Sequence, residues 1–273
     1  MTITHLDTEA MPWEPELDIP GFLAKNFHVD PDTGGFIQVH FVPPDWGADL
    51  FDGQPHRHYH ATVYERALCL SGDFPHWEFA DAADDAGTLR TFHRGVFMDR
   101  PPLTLHGLFP EPRSQVGSVL LAWNTGGGTF VGHPRARQET IDVPFGQPGP
   151  GNVAFTSPRI FPVDDLPWRD HPVRPGWRAK QLTRKQGLAL ATTLVAVPPG
   201  WTADADASFA SDMTHRWLFV VHGDVALRAD GKPVALKAEH YLDWQDGGAV
   251  GFAKGDVVSE GGATVLCVGH ALE

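Results

Sequence analysis

Histidines crowd one short segment of the chain, which runs from His56 to Glu65 as His-Arg-His-Tyr-His-Ala-Thr-Val-Tyr-Glu. Because successive side chains of a β-strand point to opposite faces, His58 and His60 would share one face about 7 Å apart along the backbone. Two imidazoles at that separation can reach a single metal ion. Glu65 has the opposite parity, so it would join them only after a turn or bulge, from the neighbouring antiparallel strand. A fourth candidate ligand, His106, follows a proline turn and would enter a later strand.

The elements that carry these residues are predicted to be strands. Short runs rich in Val, Phe, Leu and Thr are bounded by Gly, Pro or Asp, as is typical of β-structure. No amphipathic pattern extends over the roughly twelve residues that a helix would need. The chain also holds 29 Gly and 24 Pro, which suit the turns of a sandwich or barrel. An all-β protein is predicted, with strands at Phe36–Val42, Val63–Leu70, Gly95–Met98, Ser118–Trp123, Leu188–Val197, Trp217–Val221 and Ala263–Val268.

An internal repeat predicts two copies of one domain. At an offset of 155 positions, two segments align without a gap and share several short strings. The matches are Pro12-Trp13 with Pro167-Trp168, Pro20-Gly21 with Pro175-Gly176, Ala24-Lys25 with Ala179-Lys180, Val42-Pro-Pro-x-Trp46 with Val197-Pro-Pro-x-Trp201, and Ala48-Asp49 with Ala203-Asp204. We therefore predict domains over residues 1–150 and 151–273, joined through the Gly- and Pro-rich stretch from Gly126 to Asp165.

Composition narrows the function classes. Asp and Glu outnumber Lys and Arg by 34 to 21, and a formal net charge of −13 makes nucleic acid and anionic membrane surfaces poor partners. No apolar run approaches the ~20 residues that span a bilayer. The N-terminus shows no secretory signal pattern, and Cys69 and Cys267 lack metal-finger spacing. We expect a protein of the reducing cytoplasm.

Two spacings in the N-terminal half resemble the sequence motifs of the cupin superfamily. They are His58-x-His60-x4-Glu65-x6-Gly72 and Gly95-x5-Pro101-x4-His106. The resemblance implies that His58, His60, Glu65 and His106 are metal ligands. Together with the repeat, it implies two tandem cupin-type barrels of the double-stranded β-helix or jelly-roll kind, that is, a bicupin. The departures from the motifs, at Gly53, Leu103 and Pro110, affect turns and leave the four ligands in place.

The second copy lacks this ligand set. If Gly223 is the counterpart of Gly72, the positions of the first three ligands become Phe209, Ser211 and Arg216, and no histidine falls near Val250, where His106 would map. The C-terminal barrel is therefore predicted to be metal-free.

Three neutral imidazoles and one carboxylate suit one divalent transition metal, which could be Fe(II), Mn(II), Ni(II), Co(II) or Zn(II). Fe(II) is favoured by analogy with other bicupins. Four protein ligands leave two octahedral positions for substrate, water or O2. By analogy with other metal-binding bicupins, we expect an Fe(II) dioxygenase acting on a small enolisable (β-diketone-like) or phenolic substrate. The alternatives are an isomerase, lyase or decarboxylase that does not use O2, and a zinc- or ligand-binding sensor resembling the cupin domain of anti-sigma factors. The expected partners are a small-molecule substrate and, for a dioxygenase, O2, with a homo-oligomer as the default assembly.

A substrate pocket can also be outlined. If Glu65 faces inward, Cys69 does so too, and Phe97 and Trp123 are predicted to add apolar bulk. His56 shares the parity of the two histidine ligands and would lie inside the barrel or at its rim. Cys69 is either a contact of the site or a small core residue. His76 is predicted to be a surface or rim histidine. Arg100 is available to bind a carboxylate, although solvation at the rim is the commoner role of such an arginine.

Overall fold

The computed structural model describes residues 3–16, 21–30, 35–47, 53–125, 140–147, 149, 151, 153–184, 191–208, 215–245 and 249–269. Within these ranges the chain forms strands and short 3-10 turns, including one at Val163–Asp165. The strands, in chain order, are β1 Ile3–Asp7, β2 Glu14–Pro15, β3 Leu23–Val29, β4 Phe36–Val42, β5 His56–His60, β6 Tyr64–Glu78, β7 Thr88–His93, β8 Val96–Arg100, β9 His106–Leu108, β10 Ser118–Thr125, β11 Thr140–Asp142, β12 Arg159–Pro162, β13 Arg169–Asp170, β14 Arg178–Thr183, β15 Thr192–Val197, β16 Trp201–Thr202, β17 Ala207–Ser208, β18 His215–Ala229, β19 Lys232–Lys237, β20 His240–Gln245, β21 Val250–Phe252, β22 Val257–Ser259 and β23 Ala263–Val268. The all-β prediction is confirmed. No helix in the described part of the chain is long and apolar enough to cross a membrane.

The chain divides into two compact units. The N-terminal unit comprises Pro12–Asp165, and the C-terminal unit comprises Met1–Met11 together with Leu166–Glu273. An 11-stranded sheet in the N-terminal unit has the order β11-β5-β9-β6-β10-β4-β3-β2, with β7, β8 and β12 attached to it. A 10-stranded sheet in the C-terminal unit has the order β1-β20-β18-β23-β15-β14-β13, with β17, β19 and β21 attached.

This division differs from the predicted boundary at residue 150 at both ends of the first copy. Strand β1 pairs with β20 and so belongs to the C-terminal unit. Strand β12 pairs with β8 and so belongs to the N-terminal unit. Leu6 and Phe161 are equivalent at the offset of 155, and they pair with Tyr241 and Phe97 respectively. Hydrogen bonding between strands decided the boundary, and the repeat alone does not show which sheet a strand joins.

The two copies also make matching local contacts. The ammonium of Lys25 lies 4.5 Å from the ring centroid of Trp13, and that of Lys180 lies 4.6 Å from the ring centroid of Trp168. These are the lysines and tryptophans that the offset of 155 aligns. Both pairs are cation–π contacts between equivalent residues of the two copies.

Strand β6 bends at Gly72, and this bend places both of its ends near the histidines. Before the glycine β6 pairs with β10 and β8, and after it β6 pairs with β7 and β9. Gly72 has φ +73°, and a Cβ there would lie 2.0 Å from the carbonyl oxygen of Gly117. Gly223 occupies the same situation in the C-terminal unit, with a Cβ 1.9 Å from the carbonyl oxygen of Gly262. Only glycine permits these close approaches.

Gly72→Ala is expected to destabilise the N-terminal unit by more than the ~1–2 kcal/mol that a positive φ costs a residue with a Cβ. The excess arises because the new methyl group collides with backbone, which cannot move aside as a side chain can. The matched control is Gly146→Ala, where φ is +66° and no atom lies within 4 Å of the added Cβ. Urea unfolding measures both variants, and equal losses of unfolding free energy would contradict the role given to the close approach.

Candidate metal centre

Strand register brings the predicted ligands together. Strands β5 and β9 are antiparallel, with His58 opposite His106. Strand β9 also pairs with the far end of β6, with His106 opposite Glu78. The near end of β6 carries Glu65, which follows the turn after His60. The turn supplies the change of parity that Glu65 needs to face the imidazoles.

The three histidines converge on one point. One nitrogen from each of His58, His60 and His106 lies within 4.8 Å of the other two. Their ring centroids are 4.5 to 5.4 Å apart. Glu65 Oε2 lies 3.2 Å from His106 Nε2 and 3.9 Å from His60 Nε2. His60, His106 and Glu65 are buried, and His58 is half-buried. All four predicted ligands therefore surround one small volume.

Hydrogen bonds orient two of the rings. His106 Nδ1 donates to the carbonyl oxygen of Thr104 at 2.9 Å, and His60 Nδ1 lies 3.1 Å from the hydroxyl of Thr140. A donor role at Nδ1 leaves Nε2 with its lone pair directed at the carboxylate, as is usual for histidines that bind metals.

The pair formed by His106 Nε2 and Glu65 Oε2 tests whether a metal ion fits. With Nδ1 of His106 donating, neutral Nε2 is an acceptor, and an ionised carboxylate oxygen is also an acceptor. Two acceptors 3.2 Å apart repel each other, and a cation bound between them would remove this repulsion, which Arg100 Nη1, 3.5 Å from the same Glu65 oxygen, only partly offsets. The donor set and this juxtaposition therefore fit a divalent transition metal. Ca²⁺ and Mg²⁺ fit less well because they prefer all-oxygen sites.

Burial sets the ionisation of the centre. It lowers the pKa of His58 and of His106 well below the ordinary imidazole value, and the neighbouring positive and imidazole groups lower both further. Burial raises the pKa of Glu65, and Arg100 opposes that shift. Because a metal ion binds only the unprotonated imidazole, lowered pKa values keep the two rings ready for binding.

Three further buried residues adjoin the centre, and sequence reasoning missed their role. Arg100 pairs with Glu65 across β8 and β6, and its Nη1 lies 3.5 Å from Glu65 Oε2. Arg100 also donates to Glu78 from Nε and Nη2, and its Nη2 lies 2.9 Å from His76 Nδ1. The expectation that His76 lies at the surface or the rim was wrong, and so was the preference for a solvated Arg100, because they are only 7% and 4% exposed. Their spacing from the motifs gave no signal, since the bend of β6 brings His76 to the site and the pairing of β8 with β6 brings Arg100 there.

Known proteins resemble this chain in structure and not in sequence. No protein-family model matches the sequence, and no curated protein matches it. A cupin 2 conserved barrel domain protein from Leptotrichia buccalis superimposes with a TM-score of 0.56 and 10% identity, over 97% of this chain and 95% of that one. The chain has the cupin fold.

Two enzymes share this cupin architecture. A mutant of oxalate decarboxylase from Bacillus subtilis superimposes with a TM-score of 0.57 and 12% identity, over 97% of this chain and 76% of that one. HEPD from Streptomyces albus, with 2-hydroxyethylphosphonate and Fe(II) bound, gives a TM-score of 0.58 and 12% identity, over 97% of this chain and 75% of that one. Likeness at this identity shows the fold alone, and function must be argued from the site.

The predicted pocket residues of the first cupin barrel have separate locations. His56 is half-buried at the rim: its ring lies 5.1 Å from that of His58, and its Nε2 lies 3.0 Å from the exposed Asp142. Cys69 is a core residue that packs with Ala67 and Met98, and burial raises the pKa of its thiol to about 12. We therefore no longer place Cys69 in the pocket.

Phe97 and Trp123 also lie outside the pocket, because they face away from the ligands. Phe97 is opposite Leu68, and Trp123 is opposite Arg66. Both partners differ in parity from Glu65 on β6, so the two aromatic side chains lie on the other face of the sheet. There Phe97 contacts Trp123 and Phe161, at centroid distances of 6.0 and 5.6 Å. Their prediction as pocket residues assumed an inward orientation that the register excludes.

The second cupin barrel carries apolar residues at two described positions that correspond to His106 and Arg100 of the first barrel. Val250 is opposite Ala229 there, as His106 is opposite Glu78 in the first barrel, and Trp244 stands where Arg100 does. Two of the predicted equivalents, Phe209 and Ser211, lie outside the described residues, and Arg216 is described as a backbone position of β18. Within the described part of the chain, the only group of three or more potential metal ligands is in the first barrel.

A separate buried histidine gives the first cupin barrel a pH-dependent stability. His40 is 3% exposed, and burial lowers its pKa to about 3. Below pH ~6.5, His40 is therefore protonated in the unfolded chain but stays neutral in the folded chain. The free energy of unfolding is highest above that pH and falls on acidification toward pH ~3. Between pH 7 and 5, His40→Leu is expected to lose about 2 kcal/mol less unfolding free energy than the wild type.

Urea unfolding of the wild type and of His40→Leu at the two pH values checks this. All other titrating groups contribute equally to both proteins, so their contributions cancel in the difference. The exposed His93→Leu is the matched control and should lose as much free energy as the wild type. A parallel loss in the His40 and His93 variants would show that His40 does not stay neutral in the fold.

Proposed function

We propose that the chain is a metal-dependent enzyme whose centre is formed by His58, His60, Glu65 and His106. The convergence of three imidazole nitrogens within 4.8 Å, with a buried carboxylate beside them, carries the proposal. Apolar side chains would fill this volume at a lower desolvation cost than neutral imidazoles. Packing alone therefore does not account for the cluster. The second barrel, which has Val250 at the position of His106, illustrates the apolar solution there.

The finer proposal is an Fe(II) dioxygenase acting on a small enolisable (β-diketone-like) or phenolic substrate. The mixed nitrogen and oxygen donor set suits Fe(II), and HEPD has Fe(II) bound on the same fold. When bound, the ion supplies Lewis acidity toward a chelating substrate oxygen and redox chemistry toward O2. Aromatic side chains beside the centre, including Phe74 and Phe92, provide apolar walls that favour a substrate with a hydrocarbon body.

The chain's own residues have separable tasks in this proposal. Glu65 supplies the anionic ligand, and Arg100 holds that carboxylate in place from the neighbouring strand. The carbonyl of Thr104 fixes the orientation of His106. Burial of these groups excludes water from one side of the substrate and strengthens the electrostatic interactions there.

Within the enzyme class, the alternative is an isomerase, lyase or decarboxylase that does not use O2; oxalate decarboxylase is a decarboxylase with the same fold. A zinc-binding sensor is the alternative outside it. We propose further that the partners are small molecules, with nucleic acid and membranes disfavoured by the net charge of −13. A cytoplasmic location and a homo-oligomeric assembly stay predictions.

Metal analysis and O2 uptake test the proposal. Protein purified without chelators is analysed by mass spectrometry for metals, then loaded anaerobically with Fe(II) and mixed with pentane-2,4-dione or catechol. Stoichiometric iron binding with substrate-dependent O2 uptake is expected, and a Zn(II)-loaded sample is the matched control. Iron binding without O2 uptake would overturn the dioxygenase proposal, and absence of any stoichiometric transition metal would overturn the metal centre.

A further inference from the structure

His76 is a buried histidine beside the metal centre that the proposed ligand set does not use. Its ring centroid lies 5.6 Å from that of His106, and the side chain is only 7% exposed. The residue follows the bend at Gly72, on the part of β6 that pairs with β7. A buried imidazole outside a ligand set needs hydrogen-bond partners for its two nitrogens.

One of those nitrogens is accounted for by Arg100. Arg100 Nη2 lies 2.9 Å from His76 Nδ1, and a guanidinium can only donate. His76 Nδ1 therefore accepts this bond, although the carbonyl oxygen of Trp77 also lies 3.2 Å from it. A nitrogen that accepts from a guanidinium carries no hydrogen of its own, so the ring is neutral. A neutral imidazole that accepts at Nδ1 carries its hydrogen on Nε2.

The second nitrogen is a donor that the described residues leave available. Among them, no hydrogen-bond partner lies at His76 Nε2; the polar contacts of this ring all involve Nδ1. A ligand with an acceptor atom could therefore accept a hydrogen bond from this N–H group without displacing a protein partner.

The surroundings of His76 indicate the shape of such a ligand. The ring stacks beside Phe92 at 6.3 Å and lies 5.5 Å from the ring of Phe74. Phe74 also lines a surface cleft together with Trp46 and Leu108. Leu108 lies two residues after His106 on the same strand and faces the same side. Two apolar residues of the cleft thus lie close to the site: Phe74 beside His76, and Leu108 on the strand of His106.

Charge indicates the ionic class of the ligand. Glu65 and Glu78 each contribute one negative charge, and Arg100 contributes one positive charge, so these buried side chains sum to −1. A divalent cation brings the sum to +1. One monoanionic ligand would cancel the remaining charge, and burial makes an uncancelled charge costly.

We propose that His76, held by Arg100, donates a hydrogen bond from Nε2 to an oxygen of a monoanionic ligand bound at the metal centre, and that this ligand is a carboxylate, enolate or phenolate with an apolar body. This inference rests on the proposed metal centre. It makes His76 a binding residue for the substrate and defines the substrate class by charge and by its acceptor oxygen.

Anion titration of the Co(II)-loaded protein tests the proposal. Acetate binding is followed in the visible Co(II) spectrum for the wild type, His76→Phe and His76→Gln. Phenylalanine fits between Phe74 and Phe92 but lacks the donor, whereas glutamine retains an N–H group at a comparable reach. His76→Phe is expected to weaken acetate binding about tenfold or more, His76→Gln to restore most of it, and Co(II) content to stay equal in all three proteins.

Acetamide, a neutral molecule of the same shape as acetate, tests the charge argument and should bind at least about tenfold more weakly. Nitrogen NMR of the metal-free protein provides a readout that needs no metal, and it should show the Nε2–H form of His76. Equal acetate affinity in the wild type and His76→Phe, or the Nδ1–H form by NMR, would overturn the proposal. Absence of Co(II) binding by the wild type would instead overturn the metal centre itself.

Discussion

His106→Val is expected to abolish stoichiometric metal binding while the barrel stays folded. The substitution removes one of three imidazoles that share a volume only 4.8 Å across. Loss of a direct ligand should weaken metal binding by more than the 10–100-fold that loss of an outer hydrogen-bond partner costs. Valine is the chosen replacement because the second barrel has Val250 at this register position, which shows that the fold accepts it. Metal analysis after dialysis and calorimetric titration with Co(II) measure the effect.

The control for this experiment is His56→Val. His56 lies two residues before His58 on β5, but its Nε2 contacts the exposed Asp142 at the rim. Its substitution should therefore change metal affinity by only a few-fold. Stoichiometric metal retained by the dialysed His106 variant, with folding verified by circular dichroism, would remove the assignment of the centre.

Arg100→Met is expected to destabilise the metal-free protein by about 3–5 kcal/mol, because it leaves buried carboxylates without their cation. Glu78 receives hydrogen bonds from two nitrogens of Arg100, and Glu65 lies 3.5 Å from a third. Burial already raises the pKa of both carboxyl groups, and Arg100 opposes those shifts. The loss is measured as the change in unfolding free energy in urea at neutral pH.

Two further variants identify the cause of that loss. Adding Glu78→Met to Arg100→Met should recover part of the stability, since an uncompensated buried charge is then replaced by an apolar side chain. Arg94→Met changes an exposed arginine and should stay within about 0.5 kcal/mol of the wild type. A double variant no more stable than the single variant would contradict the pairing of Arg100 with Glu78.

The contrast between the two barrels shows where function is located in this protein. Both have the same bend at a glycine, Gly72 or Gly223, and the same pairing of the strands on either side of it. The first barrel places His106 and Arg100 at positions where the second places Val250 and Trp244. A shared fold therefore supports a polar centre in one copy and, at the two compared positions, apolar core residues in the other.

Much of the site could be predicted because it depends on local periodicity. Side-chain directions alternate along β5, and this alone places His58 and His60 on one face, independently of how β5 pairs with other strands. The motif spacing, read through its resemblance to the cupins, pointed to Glu65 and His106 before any strand pairing was known. The structure brings these four side chains together around one volume.

The errors arose where orientation depends on pairing between distant segments. Phe97 and Trp123 were predicted as pocket residues from their bulk, yet their register partners turn them to the opposite face of the sheet. His76 was predicted to lie at the surface or the rim, and solvation was the favoured role of Arg100, yet the bend at Gly72 and the pairing of β6 with β8 bury them beside Glu65.

By itself, the sequence determined the β-class, the repeat, and which side chains could bind a metal ion, because composition, spacing and a period of two residues are properties of short segments. The tertiary structure alone decided that β1 and β12 join the sheets they do, that a buried arginine and two carboxylates surround the histidines, and that His76 presents a fixed N–H group. Those features depend on hydrogen bonds between strands far apart in the chain, and a shift of one residue in register would reverse every side chain involved.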